Sequence, residues 1–370
     1  MKIVCTVTND LAQDQRMDRI CTSLTRAGHQ LVLVGRKLPA SQPLSDKTYR
    51  QHRIPCRNLT GKRFYAEYNY RLWREIRQWD YDVVCSVDLD TLIAGVALTS
   101  GNKSKLVYDA HEWFSETPEV VARPLIRGIW RVIGKMLVPR TDARYTVGPL
   151  LARELEKDYG VPFGSVRNVP LSRRNLPAVP VAGLPPDRGR KVILYQGMFN
   201  PGRGLLTALN ALADLPDCEL WLVGDGPELG ALRRCNEKLG CKDRVWFAGF
   251  RSPAELLGIT ERAWLGLNLL DAVSPSYYFS LANKAFDYVR AGVPSVQMNF
   301  PEYEALAKKY GCYVLLDRLE PVHLSSRIKC LIDDPASYEA LVAGCRRAAT
   351  ESVWEREEIE LLNIWNSLDE

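Results

Sequence analysis

No stretch of about 18 consecutive apolar residues occurs in the chain, so no membrane-spanning helix is expected. Its ten cysteines are scattered without CxxC pairs or zinc-type spacing, and Cys5, Cys85 and Cys218 fall in predicted strands. That excludes a disulfide framework or a structural zinc as the organising device, and buried free thiols in a reducing cytoplasm are expected. Neither GxGxxG nor GxxxxGK[ST] is present, and the first predicted strand–helix turn, TNDLAQDQR, carries no glycine. The first half is therefore not expected to bind a dinucleotide. Met1-Lys2 leads straight into the apolar strand IVCTV and then into polar helical sequence, the wrong order for a signal peptide. Histidine is scarce, with four in 370 residues.

What is present is ordinary globular composition at a length that suggests two domains. The net charge of +5 is unevenly spread. Residues 1–150 hold 23 Lys and Arg against 15 Asp and Glu, and residues 151–370 hold 26 against 29. The basic excess of the first half suits an anionic partner, such as a membrane surface or an anionic acceptor. It is moderate and accompanies no recognition motif, so nucleic acid is not expected.

Strand and helix patterns alternate along both halves, which predicts an α/β protein with doubly wound parallel sheets. Residues 1–168 form the expected first domain, joined by a C-terminal helix over 354–370, and residues 191–350 form the second. The proline-rich stretch 169–190 has little periodicity and reads as a linker.

In the first domain, Arg16 lies near the start of a helix, facing either the cleft, on the acceptor or membrane side, or solvent. Asp88-Leu89-Asp90 follows a strand. Two carboxylates alone do not make a metal site, so helix capping is expected there and no metal. The strand Lys105–Tyr108 ends in Asp109-Ala110-His111-Glu112, where a parallel sheet places its ligands. His111 reads as a catalytic or hydrogen-bonding group, or as a structural histidine. Residues 119–137 predict one long amphipathic helix with Arg123, Arg127, Arg131 and Lys135 on a basic stripe. That stripe faces water or an anionic acceptor or membrane.

The second domain opens with KVILYQGMFNPGRGLL (191–206). A short strand, a turn containing Gly197, Gly202 and Gly204, and a helix start make an arrangement in which backbone N–H groups can hold an anion. Arg203 inside the turn offers forked donors to phosphate oxygens. The other decisive stretch is SLANKAFDYVRAGVP (280–294). Asn283 and Lys284 fall in the first turn of its helix, where the macrodipole disfavours a lysine unless an anion binds there. Asp287, one turn on, can accept hydrogen bonds from sugar hydroxyls.

These motifs, with LVGDGP (222–227), YDAHE (108–112), GHQLVLVGR and the final WEREEIELL, resemble the retaining GT-B glycosyltransferases of glycosyltransferase family 4 over nearly the whole chain. The resemblance implies two Rossmann-like domains facing across a central cleft. It implies sugar transfer from a UDP- or GDP-type sugar to a hydroxyl of a glycan or lipid-linked acceptor, with no cofactor, at the inner face of a membrane. By motif, Arg203 and Lys284 would neutralise the donor pyrophosphate, and Gly197 would let it approach. Ser280 and Asn283 would lie on the donor side, and Asp287 would bind the ribose. Gly249, Phe250 and Arg251 would line the base pocket, and His111 would approach the transferred sugar. The family often carries two glutamates eight residues apart; Phe279 and Asp287 stand at those positions here. Two other functions stay open: a nucleotide-sugar 2-epimerase of the same fold, and a non-catalytic relative that only binds partners.

Overall fold

The computed structural model describes residues 1–12, 14–172 and 180–368. The chain divides into two compact units. One comprises Met1–Arg167, Ser274–Ser276 and the residues from Glu357 on; the other comprises Asn168–Val273 and Tyr277–Arg356. The expected linker, 169–190, lies partly outside the described residues, and its described parts carry no helix or strand.

The first unit runs β1 (Lys2–Thr6), α1 (Gln15–Arg26), β2 (Gln30–Lys37), β3 (Arg50–Pro55), α2 (Gly61–Ile76), β4 (Val83–Val87) and α3 (Leu89–Thr99). It continues through β5 (Lys105–Ala110), α4 (Pro118–Val121), α5 (Pro124–Leu137), β6 (Ala143–Thr146), α6 (Pro149–Tyr159) and β7 (Gly164–Ser165). The strands make one sheet in the order β3-β2-β1-β4-β5-β6-β7, and every pairing is parallel. Buried on both faces, β4 (VVCSV) is wholly interior. This suits a parallel strand covered by helices on each side. Asp14 caps α1 by accepting the Met17 N–H, and Met17, Ile20, Cys21 and Leu24 pack its inner face.

The single helix expected over 119–137 is two helices. Arg123, between α4 and α5, has φ −131° and ψ 83°. Pro124 is the cause: its ring excludes the residue before it from helical geometry.

The second unit runs β8 (Lys191–Gln196), α7 (Leu205–Leu212), β9 (Cys218–Val223), α8 (Leu229–Leu239), β10 (Val245–Gly249), α9 (Pro253–Thr260) and β11 (Leu265–Asn268). Next come α10 (Pro275–Tyr278), α11 (Asn283–Ala291), β12 (Ser295–Met298), α12 (Pro301–Tyr310) and β13 (Tyr313–Leu316). The helices α13 (Pro321–Asp333) and α14 (Pro335–Glu351) complete this unit, and α15 (Trp354–Asn366) belongs to the first unit from Glu357 on. The sheet order is β10-β9-β8-β11-β12-β13, all parallel. This is the doubly wound order, with its switch point between β8 and β11, where such sheets bind ligands at the carboxyl ends of the strands.

One core contact positions that switch point. Tyr288 of α11 lies flat over Gly266 of β11, where any Cβ would come within 2.5 Å of the ring. Its hydroxyl donates to the carbonyls of Leu194 and Leu267, each at 3.1 Å. With Leu194, Trp221, Ile259 and Val293 it forms a buried cluster that fixes α11 against the sheet.

Candidate functional site

In the second unit, the carboxyl ends of β8, β9 and β10 and the amino end of α11 carry the motif residues. The loop after β8 begins at Gly197, whose φ of +127° is left-handed. A Cβ there would lie 3.4 Å from the Lys284 ammonium. Gly224, after β9, packs so closely that a Cβ would sit 2.0 Å from the Gly197 carbonyl oxygen. The two glycines thus bring bare backbone and a cation together. Gly202 and Gly204 complete the turn, and Gly204 is the residue before α7.

Lys284 lies in the first turn of α11, and that helix start has no side-chain cap. The residue is half-buried, and its ammonium stands 3.7 Å from the centre of the Tyr195 ring. Burial and then the nearby Arg203 charge push its pKa well below the ordinary 10.5, and Asp287 acts in the opposite direction. The Arg203 guanidinium lies 4.9 Å from the centre of the Tyr277 ring, and its Nε is buried without a hydrogen-bond partner. Neither cation forms an ion pair with a carboxylate among the described residues. Two like charges held together on aromatic faces, beside uncapped helix N–H groups, form a site that a diphosphate would neutralise.

The other expected donor residues divide into two kinds. Asp287 is held in place: its carboxylate accepts from Gln196 Nε2 at 3.1 Å and meets Arg290 at 3.3 Å. Gln196 is itself fixed by the Thr260 hydroxyl at 2.8 Å. Asn283 accepts from Asn168 Nδ2 at 2.7 Å. The Ser280 hydroxyl is engaged locally, donating to the Tyr277 carbonyl at 2.8 Å. Gly249 ends β10, and Phe250 after it is 63% exposed. Arg251 is tied to Glu255 at 3.3 Å. Phe279, at the glutamate position, meets the Tyr278 ring edge-on.

The first unit carries a second cluster at the ends of β4 and β5. His111 Nε2 lies 3.1 Å from Asp109 Oδ2. Burial disfavours the imidazolium, but Asp109 outweighs it and raises the His111 pKa to about 9. Burial likewise opposes the Asp109 charge, and Arg16 and His111 overcome it, lowering that carboxyl to about 2. Arg16 donates to Asp109 Oδ1 at 2.8 Å and to the Val166 carbonyl at 2.8 Å, and only 4% of it is exposed. This corrects the expectation that Arg16 meets acceptor, membrane or solvent. It is a buried structural cation whose partner lies 93 residues away.

Helix capping by Asp88 is also corrected. Its side chain does not cap α3; it accepts the His111 N–H at 2.8 Å. Its backbone sits at φ 57° and ψ 171°, a region that side chains other than hydrogen rarely enter. Burial pushes the Asp88 carboxyl well above its ordinary range and that of Asp90 to about 6. Asp90 accepts from the Thr8 hydroxyl at 2.7 Å. The expected basic stripe is largely paired: Arg127 and Arg131 meet buried Glu116, and Lys135 meets Asp158 at 3.7 Å.

Sequence reasoning missed Tyr195, Tyr277 and Gln196 as site-forming groups. Tyr195 and Gln196 end the strand just before the glycine turn, and that position was the available signal.

Comparison with known proteins adds the family. A model described as "Glycosyltransferase Family 4" matches residues 14–171, and one described as "Glycosyl transferases group 1" matches residues 190–334. The lipopolysaccharide core biosynthesis glycosyltransferase LpsD of Rhizobium meliloti is 31% identical over 174 residues, covering 46% of this chain and 48% of LpsD. The chain thus spans about half the length of that curated relative. Sucrose-phosphate synthase from Thermosynechococcus elongatus shares the fold with a TM-score of 0.81 at 18% identity, covering 100% of this chain and 99% of the other. HepE of Anabaena in complex with UDP does so with a TM-score of 0.73 at 15% identity, covering 100% of both. Two parallel-sheet α/β units and two consecutive family models over most of the chain agree: the protein has the GT-B fold and belongs to the family 4, group 1 glycosyltransferases.

Proposed function

We propose that the protein transfers a sugar from a nucleoside diphosphate sugar, of the UDP or GDP type, to a hydroxyl of a glycan or lipid-linked acceptor. The observation that carries this reading is the pair Arg203 and Lys284. Neither is paired with a carboxylate among the described residues, and both lie at the glycine-lined strand ends beside the start of α11. Transfer breaks the bond between the sugar carbon and the diphosphate oxygen and forms one to the acceptor oxygen. Negative charge grows on the leaving diphosphate, and fixed cations and helix N–H groups are complementary to it. Two side-chain cations and a helix start can do this without a metal. With retention, the acceptor attacks on the face the diphosphate leaves, and its proton passes to a departing phosphate oxygen. His111, with its pKa raised to about 9, carries a proton at neutral pH and suits hydrogen bonding to a sugar or acceptor oxygen.

The names of the relatives support the reading, since LpsD is described as a lipopolysaccharide core glycosyltransferase and HepE was solved with UDP. All ten cysteines are free, and no helix among the described residues is long and apolar enough to cross a membrane. The free thiols support action in a reducing compartment such as the cytoplasm.

A second reading, nucleotide binding without transfer, is favoured by one observation: Phe279 offers no polar group where the family often has glutamate. Incubation with UDP-, GDP- and ADP-sugars separates the readings. Release of free nucleoside diphosphate from one class, dependent on an added glycan or lipid acceptor, supports transfer. An epimerised sugar nucleotide, or tight binding with no turnover, contradicts it.

A further inference from the structure

Arg203 and Lys284 sit on separate segments of the second unit, and both segments rest on one buried polar frame. The Arg203 turn lies on the stretch that follows β11. The Asp271 N–H donates to the Gly202 carbonyl at 2.9 Å, and a Cβ on Gly204 would come within 2.5 Å of the Leu269 Cβ. Asn268, the last residue of β11, is buried at the root of that stretch. Its Nδ2 donates to Gln297 Oε1 at 2.6 Å, and Gln297 Nε2 donates to Ser295 Oγ at 2.8 Å. Asn268 also acts on the hydroxyl of Tyr303, a fully buried residue of α12. That hydroxyl accepts the Ala282 N–H, just before α11, at 2.9 Å. Burial raises the Tyr303 pKa, and the Ala282 N–H, Ser280, Asn268 and the Arg203 charge all oppose it, so the groups from both segments act on one oxygen. A buried hydroxyl is costly unless it is bonded, and a phenylalanine would fill the same space without that cost. At the start of α11, Ala285 donates to the Ala282 carbonyl at 3.1 Å, whereas Asn283 and Lys284 have no carbonyl one turn back and no side-chain cap.

We propose that Tyr303 is a positioning residue for the donor diphosphate. By holding the Ala282 N–H, its hydroxyl fixes the amino end of α11, so that the Asn283 and Lys284 N–H groups and the Lys284 ammonium converge on the phosphate oxygens. The inference rests on the donor reading given above. Tyr303 acts through α11 and touches no ligand itself. Donors serve an anion best when their direction is set before it arrives, and a buried partner behind them sets it. Without the hydroxyl, the Ala282 N–H is left unpaired against the core, and the first turn of α11 loses its fixed direction.

The test compares the full-length wild type with Tyr303→Phe, which keeps the ring and deletes the hydroxyl. Calorimetry measures binding of UDP and GDP, and ligand-observed NMR measures binding of uridine and guanosine. The variant should bind the preferred nucleoside diphosphate about tenfold more weakly and the matching nucleoside as the wild type does. In a Lys284→Ala background the same substitution should cost about twofold or less, because its effect runs through the start of α11. Hydrogen exchange on the wild type gives a second measurement that stands even where Tyr303→Phe does not fold. The Ala282 amide should be protected without ligand, and the Asn283 and Lys284 amides only with the nucleotide. Equal nucleoside diphosphate affinity in wild type and Tyr303→Phe overturns the proposal. So does fast exchange at Ala282, or an equal loss for nucleoside and nucleoside diphosphate, which marks a merely structural residue. A wild type that binds neither UDP nor GDP contradicts the donor reading itself, and the proposal with it.

Discussion

The two units are built alike, yet they treat charge at their strand ends in opposite ways. In the first, the groups after β4 and β5 satisfy one another: Arg16 meets Asp109, Asp109 meets His111, and the His111 backbone meets Asp88. In the second, Arg203 and Lys284 have aromatic rings beneath them and form no ion pair with a carboxylate among the described residues. A closed network is preorganised and holds its geometry without a ligand. An open pair of like charges is a cost to the fold that an anionic ligand relieves. The comparison teaches where to look for an anionic ligand, and in the proposed reading Arg16, Asp109 and Asp88 position His111.

The largest way to break the comparison is to remove one open cation. Arg203→Ala is expected to slow release of nucleoside diphosphate from its donor by about 10²–10³-fold, the usual loss when a transition-state donor is deleted. Its melting temperature should hold or rise, because no carboxylate partner is lost and the repulsion with Lys284 is relieved, which offsets the lost contact with the Tyr277 ring. Steady-state turnover and a thermal melt check both halves of that expectation.

Removing a closed cation should do the reverse to stability. Arg16→Ala leaves Asp109 charged, buried and half-unpaired, and is expected to cost about 3–5 kcal/mol of folding free energy. Denaturant unfolding of the two alanine variants side by side gives the contrast directly. Equal losses would mean that the two clusters are not different in kind.

Asp88 sharpens the picture. Asp88→Gly removes the strain of its left-handed backbone and should raise stability by about 1 kcal/mol, while reducing transfer if the carboxylate helps to place His111. A loss of stability would show that the His111 N–H contact outweighs the strain.

The smallest effect is in pH. His111 ordinarily titrates at 6.5 and here at about 9. The stability it contributes is therefore complete below pH 6.5 and is lost as pH rises through about 9. The wild type should lose stability across that interval, and His111→Gln should lose less. A parallel decline in both proteins would remove His111 as the cause.

Most of the fold was legible because β-strands and helices alternate with clear periods, and glycines such as Gly28, Gly160 and Gly292 mark helix ends. The proposed donor site was legible where its residues lie close in sequence or one turn apart, as with Gly197 to Arg203 and Lys284 to Asp287. What escaped depends on distance in the chain. The burial of Arg16 is set by Asp109 and Val166, which no local pattern near α1 reveals. The helix break was written at Arg123-Pro124, but the four-residue spacing of basic side chains continued across it and masked the stop. Asp88 escaped because a carboxylate at a helix start suggests capping, whereas its backbone geometry aims it elsewhere.

The most direct test of the central claim is the thermal stabilisation of the wild type and of the Arg203→Ala, Lys284→Ala double variant by UDP and GDP. At 100 times its dissociation constant, a ligand of the folded state should add about 2.7 kcal/mol. One nucleotide should stabilise the wild type by about that amount and leave the double variant unmoved. An equal shift in both proteins, or no shift with either nucleotide, would contradict the assignment of the open cation pair to the donor diphosphate.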